Sequence, residues 1–286
     1  SKVVIMLRVA VPNKGQLSDP ARDMLREAGY AAAANTRELV VQDPENDVEF
    51  FFLRPRDIAT YVGRGTLDVG ITGEDLLADS GSQATTILEL GFAPSTFRLA
   101  APQGTAKTAS DLSGKRIATS YPTILNNWLT EQGLSADVVT LDGAVENAVR
   151  LGVADAVADV VATGTTLKQA GLEIIGDPIF KSQSVLISRN NIEDQNAVDV
   201  FVRRLQGVIV ARAYVLVDYD IPNTLIDKAC VITPGIESPT VSSLHDSAWS
   251  AVRAMVPRKQ VHAVMDELYD LGARGVIVTD IHACRI

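Results

Sequence analysis

Short runs of aliphatic and β-branched residues alternate along this chain with segments whose apolar positions recur every three or four residues. That alternation marks strands buried on both faces and helices laid against them. Residues 7–11 (L-R-V-A-V) predict a first strand, followed by the turn Pro12-Asn13-Lys14-Gly15. Ser18 then offers an N-cap, Pro20 sits in the first turn, and Ala21, Met24, Leu25 and Ala28 keep helical spacing up to a stop at Gly29. The same grammar predicts a strand over 47–54 and a helix from Pro55 through Val62, ended by Gly63-Arg64-Gly65. A strand over 67–71 then leads to Thr72-Gly73-Glu74-Asp75.

From 91 to 102 the pattern turns extended and from 105 to 113 polar and small, which reads as a crossing into a second lobe. There the spacing predicts strands at 116–119, 137–141, 156–160 and 172–175, with helices at 122–131, 144–151 and 165–170. An extended stretch at 183–188 returns to the first lobe. Two α/β lobes joined by crossing segments predict a bilobal, periplasmic-binding-protein-like region with its ligand in the cleft. A long helix over 194–213 keeps Val198, Phe201, Val202, Leu205 and Ile209 on one face. Beyond it come a strand at 214–217, a short helix at 222–228, strands at 240–244 and 248–256, a helix at 258–271 and a strand at 275–280. The order βαββαβ is that of a ferredoxin-like α+β domain. The expected division is residues 1–97 with 183–213 as lobe I, 98–182 as lobe II, and 214–286 as a C-terminal domain.

Composition narrows the chemistry. A length of 286 residues with 47% hydrophobic and 21% charged residues suits two or three globular domains. The net charge of −9 argues against nucleic acid or an anionic membrane as partner, since both demand a basic surface. Any polyanionic ligand must therefore be met by local donors. Cys230 and Cys284 lack metal-ligand or redox spacing, as expected of reduced thiols in the cytosol. No apolar run reaches membrane-spanning length, the first six residues are too short for a signal peptide, and Met6 is a candidate start. The three histidines, His245, His262 and His282, all lie in the C-terminal third, which argues against an imidazole base or hydrolytic triad in the two lobes. Gly104-Thr105-Ala106-Lys107-Thr108 lacks the glycine that a P-loop needs before its lysine. The G-R-G-T-L-D run at 63–68 lacks the third glycine of a dinucleotide fingerprint and precedes a strand instead of following one.

The richest stretch is the strand predicted at 156–160, preceded by Asp155 and interrupted by Asp159, which opens into Thr163, Gly164, Thr165 and Thr166 at a helix start. Glycine lets backbone approach a phosphate, and hydroxyls and unpaired amides donate to it. Carboxylates just before such a loop suit sugar hydroxyls or a divalent cation. Together these describe a sugar-phosphate site; the alternative is an ordinary N-cap and turn, with both aspartates on solvated edges.

Glu146, followed by G-V-A-D-A-V-A-D-V-V-A-T-G-T-T-L from Gly152, closely resembles the signature of the ATP phosphoribosyltransferases. P-N-K-G at 12–15, L-R-P-R-D-I around Arg54 and I-T-G-E-D around Asp75 also look like motifs of that family. The resemblance implies the same bilobal architecture and an enzyme that joins N1 of the adenine of ATP to C1 of phosphoribosyl pyrophosphate (PRPP), with Mg²⁺. It implies PRPP contacts from Glu146, Asp155, Asp159, Thr163, Gly164, Thr165 and Thr166, and ATP contacts from Lys14, Gly15, Arg54, Asp75 and Ser95. No unique catalytic base and no direct metal ligand is assigned. Taken alone, Arg54 could equally pair with a neighbouring acid.

The C-terminal motifs D-Y-D-I-P, P-G-I-E-S-P-T and G-A-R-G-V-I narrow the resemblance to the long form of the family. That form implies a histidine-binding regulatory domain with Asp220, Ile236, Ser238, Thr240, Met255 and Gly275 at the inhibitor, and a cytoplasmic hexamer built from dimers. A noncatalytic solute-binding protein, or a phosphoribosyltransferase for another acceptor, shares parts of this outline.

Overall fold

A computed structural model describes residues 5–31 and 37–286; Ser1, Lys2, Val3 and Val4, part of the segment judged too short for a signal peptide, lie outside the described residues. Packing divides the chain into two units, residues 1–26 with 30–198 and residues 27–29 with 199–286. Chain order in the first unit runs β1 (Leu7–Pro12), α1 (Ser18–Glu27), β2 (Val40–Asp43), β3 (Val48–Leu53), α2 (Pro55–Gly63), β4 (Val69–Gly73), α3 (Glu74–Ser80) and β5 (Thr85–Glu89). It continues through β6 (Ser95–Pro102), β7 (Arg116–Thr119), α4 (Pro122–Gln132), β8 (Asp137–Thr140), β9 (Ala156–Val161), α5 (Thr165–Gln169), β10 (Leu172–Ser182) and β11 (Ser184–Ser188), to the start of α6 (Gln195–Ala213), most of which belongs to the second unit.

Two sheets form. The first has the order β2-β3-β1-β4-β11-β5, and the second β10-β6-β9-β7-β8. β1 runs parallel to β3 and β4, and β7 runs parallel to β8 and β9. The chain passes between the sheets twice, from β5 to β6 and from β10 to β11, and the crossing segments are bonded to each other. Ser184 N donates to Phe92 O at 3.1 Å, Leu90 N to Ser184 O at 2.9 Å and Phe92 N to Ser184 Oγ at 3.0 Å, while Ser182 stands opposite Ser95.

Apolar side chains explain why the helices lie where they do. Ile58, Ala59 and Val62 of α2 pack on Ala10, Val185 and Ile187 of the first sheet. Ile124, Leu125 and Leu129 of α4 cover Phe97, Leu99, Ile117, Ala156 and Ala158 on one face of the second sheet. Its other face carries Ala100, Val157 and Val161 against Val145, Ala148 and Leu167. Because side chains alternate along a strand, Asp159 shares this second face with Val157 and Val161 and looks towards the turn holding Val145.

The second unit adds β12 (Tyr214–Pro222), α7 (Ile226–Ile232), β13 (Thr240–Ser243), β14 (Trp249–Pro257), α8 (Val261–Leu271) and β15 (Arg274–Asp280). Its sheet has the order β13-β14-β12-β15, the ferredoxin-like arrangement. Val215, Val217, Tyr219 and Ile221 of β12 are buried with Ala229, Val261, Val264 and Leu268 of the helices. The alternate residues of β12 face away from that core.

Several expectations change. β2 and β5 were not predicted: both are short strands lacking apolar alternation, and every residue of β5 is exposed except one. The helix expected over 144–151 is a 3₁₀ turn at Val145–Asn147 followed by irregular turns, with Asn147 N bonded to Ala144 O and Ala148 N to Val145 O. Left-handed Gly143 and Ala144 precede it and left-handed Gly152 follows, breaking the backbone at both ends of the stretch. β10 runs well past residue 175, through a bulge between Ile175 and Phe180 that conceals its period. β12 continues to Pro222, so the helix after it starts later than predicted. The packing boundary between the two units falls at Val198, near the start of α6.

Gly70 of β4 tests the packing of α2. A Cβ there would stand 2.7 Å from Ile58 Cγ2 and 3.1 Å from both Ala10 Cβ and Val62 Cγ2. Gly70→Ala is expected to destabilise the protein by about 1–3 kcal/mol, the usual cost of overpacking a dense core. Urea unfolding reads this directly, and an unchanged midpoint would mean that α2 can move off the sheet without cost.

Candidate active site

Between the two sheets of the first unit lies a cleft of about 930 Å³. Its walls come from the carboxyl ends of strands: Lys14 and Gly15 follow β1, Arg54 and Arg56 follow β3, Asp75 follows β4, Ser120 and Tyr121 follow β7, and Asp142 follows β8. Asp159 and Val160 near the end of β9, and Ser95 and Ser182 at the crossing segments, complete the lining. Open α/β sheets bind ligands at this edge, because strand ends deliver side chains from several elements to one place.

Lys14, Gly15, Arg54, Asp75, Ser95 and Asp159 are thus brought together. Arg54 also donates from Nε to Asp57 Oδ2 at 3.1 Å, so it both lines the cleft and pairs with an acid. Asp75 is buried, with Oδ1 accepting from Leu76 N at 2.8 Å and its backbone N–H donating to Ser182 Oγ at 3.1 Å. Burial pushes its carboxyl up from the ordinary range, opposed by hydrogen bonds from the Leu76 backbone and the Ser182 side chain. Gly73 makes room for it, since a Cβ there would collide with Asp75 Oδ1. Asp159 is pushed up to about 6, first by burial and then by the charge of Glu146, against a hydrogen bond from Val160 N at 2.8 Å. Glu146 sits on the 3₁₀ turn that packs on the same sheet face, which explains the coupling.

The hydroxyl loop lies apart from this lining. Thr163, Gly164 and Thr165 form a second, shallower depression with Lys168 and Gln169, starting three residues after Val160. Gly164 has φ 79°, a left-handed conformation that glycine adopts without strain, and it presents the start of α5. Thr163 Oγ1 and Thr165 Oγ1 are 3.0 Å apart, and Thr166 O accepts from Ala170 N at 3.1 Å.

Asp155 precedes β9 at the opposite end from the hydroxyl loop, a strand length of roughly 20 Å away. Both its oxygens are engaged by Arg116, through the backbone N at 2.9 Å and the guanidinium at 3.2 and 3.3 Å. The Arg116 hydrogen bonds hold its carboxyl below the ordinary range. Its position is that of a brace between the starts of β7 and β9.

Of the residues expected at a regulatory site, Asp220 on β12 and Met255 on β14 lie on the sheet face turned away from the helices. Thr240 stands opposite Arg253, which binds Asp218 at 2.8 Å. A Cβ on Gly275 would lie 3.6 Å from Asp220 Oδ2, and Ile236 and Ser238 are exposed in the loop before β13.

Arg56, Asp79, Tyr121 and Ser182 also line the cleft and were not singled out from the sequence. Arg56 Nη1 donates to Asp79 Oδ2 at 3.0 Å and Nη2 to Ser120 O at 2.7 Å, with the guanidinium 4.9 Å from the Tyr121 ring centre. Burial pushes the Tyr121 hydroxyl up. The second arginine of L-R-P-R-D-I was the available signal. Among the described residues no group of three or more His, Cys, Asp or Glu could hold a metal ion, and no helix is long and apolar enough to cross a membrane. Dispersed cations and single acids around a large cleft suit the orientation of charged ligands more than acid–base chemistry.

Residues 54–207 match a family model described as ATP phosphoribosyltransferase, and residues 211–283 match one described as HisG, C-terminal domain. The chain is 63% identical over 284 residues to the ATP phosphoribosyltransferase of Pseudarthrobacter chlorophenolicus, covering 98% of this chain and 100% of that one. It is 56% identical over 285 residues to the Streptomyces coelicolor enzyme of the same name, with the same coverage. Among solved structures it is similar to a chain of the ATP phosphoribosyl transferase (HisG:HisZ) complex from Thermotoga maritima. That match has 29% identity and a TM-score of 0.62, over 71% of this chain and 98% of that one.

Asp159 carries a pH signature. Folded, it keeps its proton up to about pH 6, while the unfolded chain releases it near 3.8, so the native state holds the extra proton between those values. Stability from this group is therefore lost as pH rises through that window, by up to about 3 kcal/mol. Asp159→Asn, which cannot ionise, is expected to gain stability relative to the parent between pH 4.5 and 7. Paired urea unfolding curves at the two pH values check the sign, and a pH-independent difference would mean the carboxyl titrates normally.

Proposed function

The chain belongs to the ATP phosphoribosyltransferase family, and on that premise we propose how its cleft performs the family's reaction. The enzyme joins N1 of the adenine of ATP to C1 of PRPP and releases pyrophosphate, giving phosphoribosyl-ATP in the first step of histidine biosynthesis. The nitrogen lone pair forms the new bond as the C1–oxygen bond breaks and its electrons leave on the diphosphate. C1 passes through an oxocarbenium-like centre, so little proton transfer is demanded. The costs are to orient two polyanions and to neutralise the departing diphosphate.

In this proposal Lys14, Gly15, Arg54, Asp75 and Ser95 hold ATP, with Lys14 and Arg54 also placed to offset diphosphate charge. Glu146 and Asp159 accept hydrogen bonds from ribose hydroxyls, and Thr163, Gly164, Thr165 and Thr166 anchor the 5-phosphate. The observation that carries it is the convergence of the two cations with Asp75, Ser95 and Asp159 in one cleft. Asp155 takes no part, given its engagement with Arg116. Separate carboxylates in the cleft, without a clustered ligand set among the described residues, fit Mg²⁺ brought in on the substrate phosphates and keeping several waters. Bound that way, Mg²⁺ would supply charge neutralisation to the diphosphate.

The match to a C-terminal family domain supports a regulatory role for the ferredoxin-like sheet, with histidine as inhibitor at Asp220, Ile236, Ser238, Thr240, Met255 and Gly275. We further propose lobes at residues 1–97 with 183–213 and at 98–182, a regulatory domain at 214–286, a hexamer built from dimer units, and a cytoplasmic location.

Incubation with ATP, PRPP and Mg²⁺ is expected to release pyrophosphate in step with phosphoribosyl-ATP, and pyrophosphate from PRPP with a different acceptor would redirect the assignment. Asp159→Ala should cost about 1–3 kcal/mol in kcat/KM for PRPP, the range of a lost polar contact; unchanged kinetics would remove that residue from the site. Asp220→Ala should raise the histidine concentration needed for half inhibition and leave the uninhibited rate alone.

A further inference from the structure

Helix α4 lacks a cap of its own. Tyr121 occupies its N-cap position without a side-chain hydrogen bond, and Pro122 begins the first turn. The amides of Thr123 and Ile124 are instead bound at 2.9 and 3.2 Å by Asp79 Oδ1. Asp79 belongs to α3, on the other side of the cleft. Its second oxygen takes Arg56 Nη1 at 3.0 Å, and the same guanidinium reaches back to Ser120 O at 2.7 Å, at the end of β7. One carboxylate and one guanidinium of the first lobe thus fasten the start of α4 in the second. The Asp79 side chain is only 5% exposed, so water competes little for these bonds.

The position matters as much as the bonds. The two crossing segments lie side by side and are bonded to each other, so they act as one hinge and leave rotation about it soft. Asp75 N meets Ser182 Oγ at that hinge, and Asp79 lies one turn further along α3, about 6 Å away. A second attachment off the hinge axis defines the angle between the lobes.

We propose that Asp79 and Arg56 form an inter-lobe latch that sets the width of the cleft, and so act as positioning residues for the transfer between ATP and PRPP. Their effect on turnover rests on the reading of the cleft given above; the latch itself does not. Neither residue needs to touch a substrate in this role.

The test uses the full-length protein, with Asp79→Ala, Arg56→Ala, the double variant and Asp79→Asn, which keeps an oxygen for the α4 amides. Without substrates, Arg56→Ala is expected to speed deuterium exchange at the hinge amides Leu90, Phe92 and Ser184 while α4 stays capped by Asp79. With substrates, well below the unfolding midpoint, both single alanine variants should raise KM for ATP and PRPP and lower kcat, by roughly tenfold to a hundredfold in kcat/KM. Asp79→Asn should recover part of the loss. The double variant should be no worse than the more impaired single one, because both remove the same latch. Additive losses would make Arg56 a direct substrate contact and overturn the proposal, as would unchanged kinetics with only a lowered unfolding midpoint. Should Asp79→Ala fail to fold, Arg56→Ala decides alone: unchanged hinge exchange and kinetics refute the latch. Faster exchange in a protein that turns over neither substrate would uphold the latch and refute the assignment of the cleft.

Discussion

Parallel strand pairing is the constraint on which the rest of the first unit depends. With β1 parallel to β3 and β4, and β7 parallel to β8 and β9, each set of strands ends at a common edge, and the segments leaving β1, β3, β4, β7 and β8 line the cleft. Side chains distant in sequence converge without long loops, and their places are fixed by sheet register. The residues proposed to face phosphate therefore come as turns directly after strands: Lys14 and Gly15 after β1, Arg54 after β3, Thr163, Gly164 and Thr165 after β9. Strand starts, by contrast, serve structure, as the Arg116 and Asp155 pair at the starts of β7 and β9 illustrates.

Charge is handled locally. A chain of net charge −9 must bind polyanions, yet the acids lining its cleft are restrained in different ways. Asp79 is neutralised by Arg56, while Asp75 and Asp159 are held by burial in a state that favours the proton. At neutral pH a carboxyl that titrates near 6 is still mostly ionised, and a nearby divalent cation or sugar hydroxyl would favour that form further. The pairing of Asp79 with Arg56 is therefore what lessens the competition that Lys14 and Arg54 meet from acids in the cleft.

The sequence made most of the alternating strands and helices, the change of grammar after residue 213 and the hydroxyl loop legible, because each leaves a local signal of period, glycine or hydroxyl spacing. β5 was not legible, since an exposed edge strand has no core face to impose alternation. The stretch at 144–151 has helical spacing that its flanking left-handed residues override. Asp155 was legible as the residue before its strand, but its partner Arg116 stands 39 positions away and no local spacing announces that pair. Arg56 and Asp79 were illegible for another reason: their partners stand 23 to 64 positions away, and no period connects residues at that distance.

The capping of α4 joins these points. A helix whose own sequence supplied Ser or Asp before Pro122 would be complete within its lobe, and the second lobe could turn freely about the crossing segments. Tyr121 cannot cap, so the orphan amides of the first turn are satisfied only when Asp79 is presented by the facing helix. A local deficiency in one lobe thus becomes a specification of its orientation to the other. The ring of Tyr121, freed from capping, lies beneath the guanidinium of Arg56 and against Phe97 of the second core. The residue that leaves the helix open is thereby also the surface on which the bridging arginine rests, which ties the shape of the cleft to the packing beneath it.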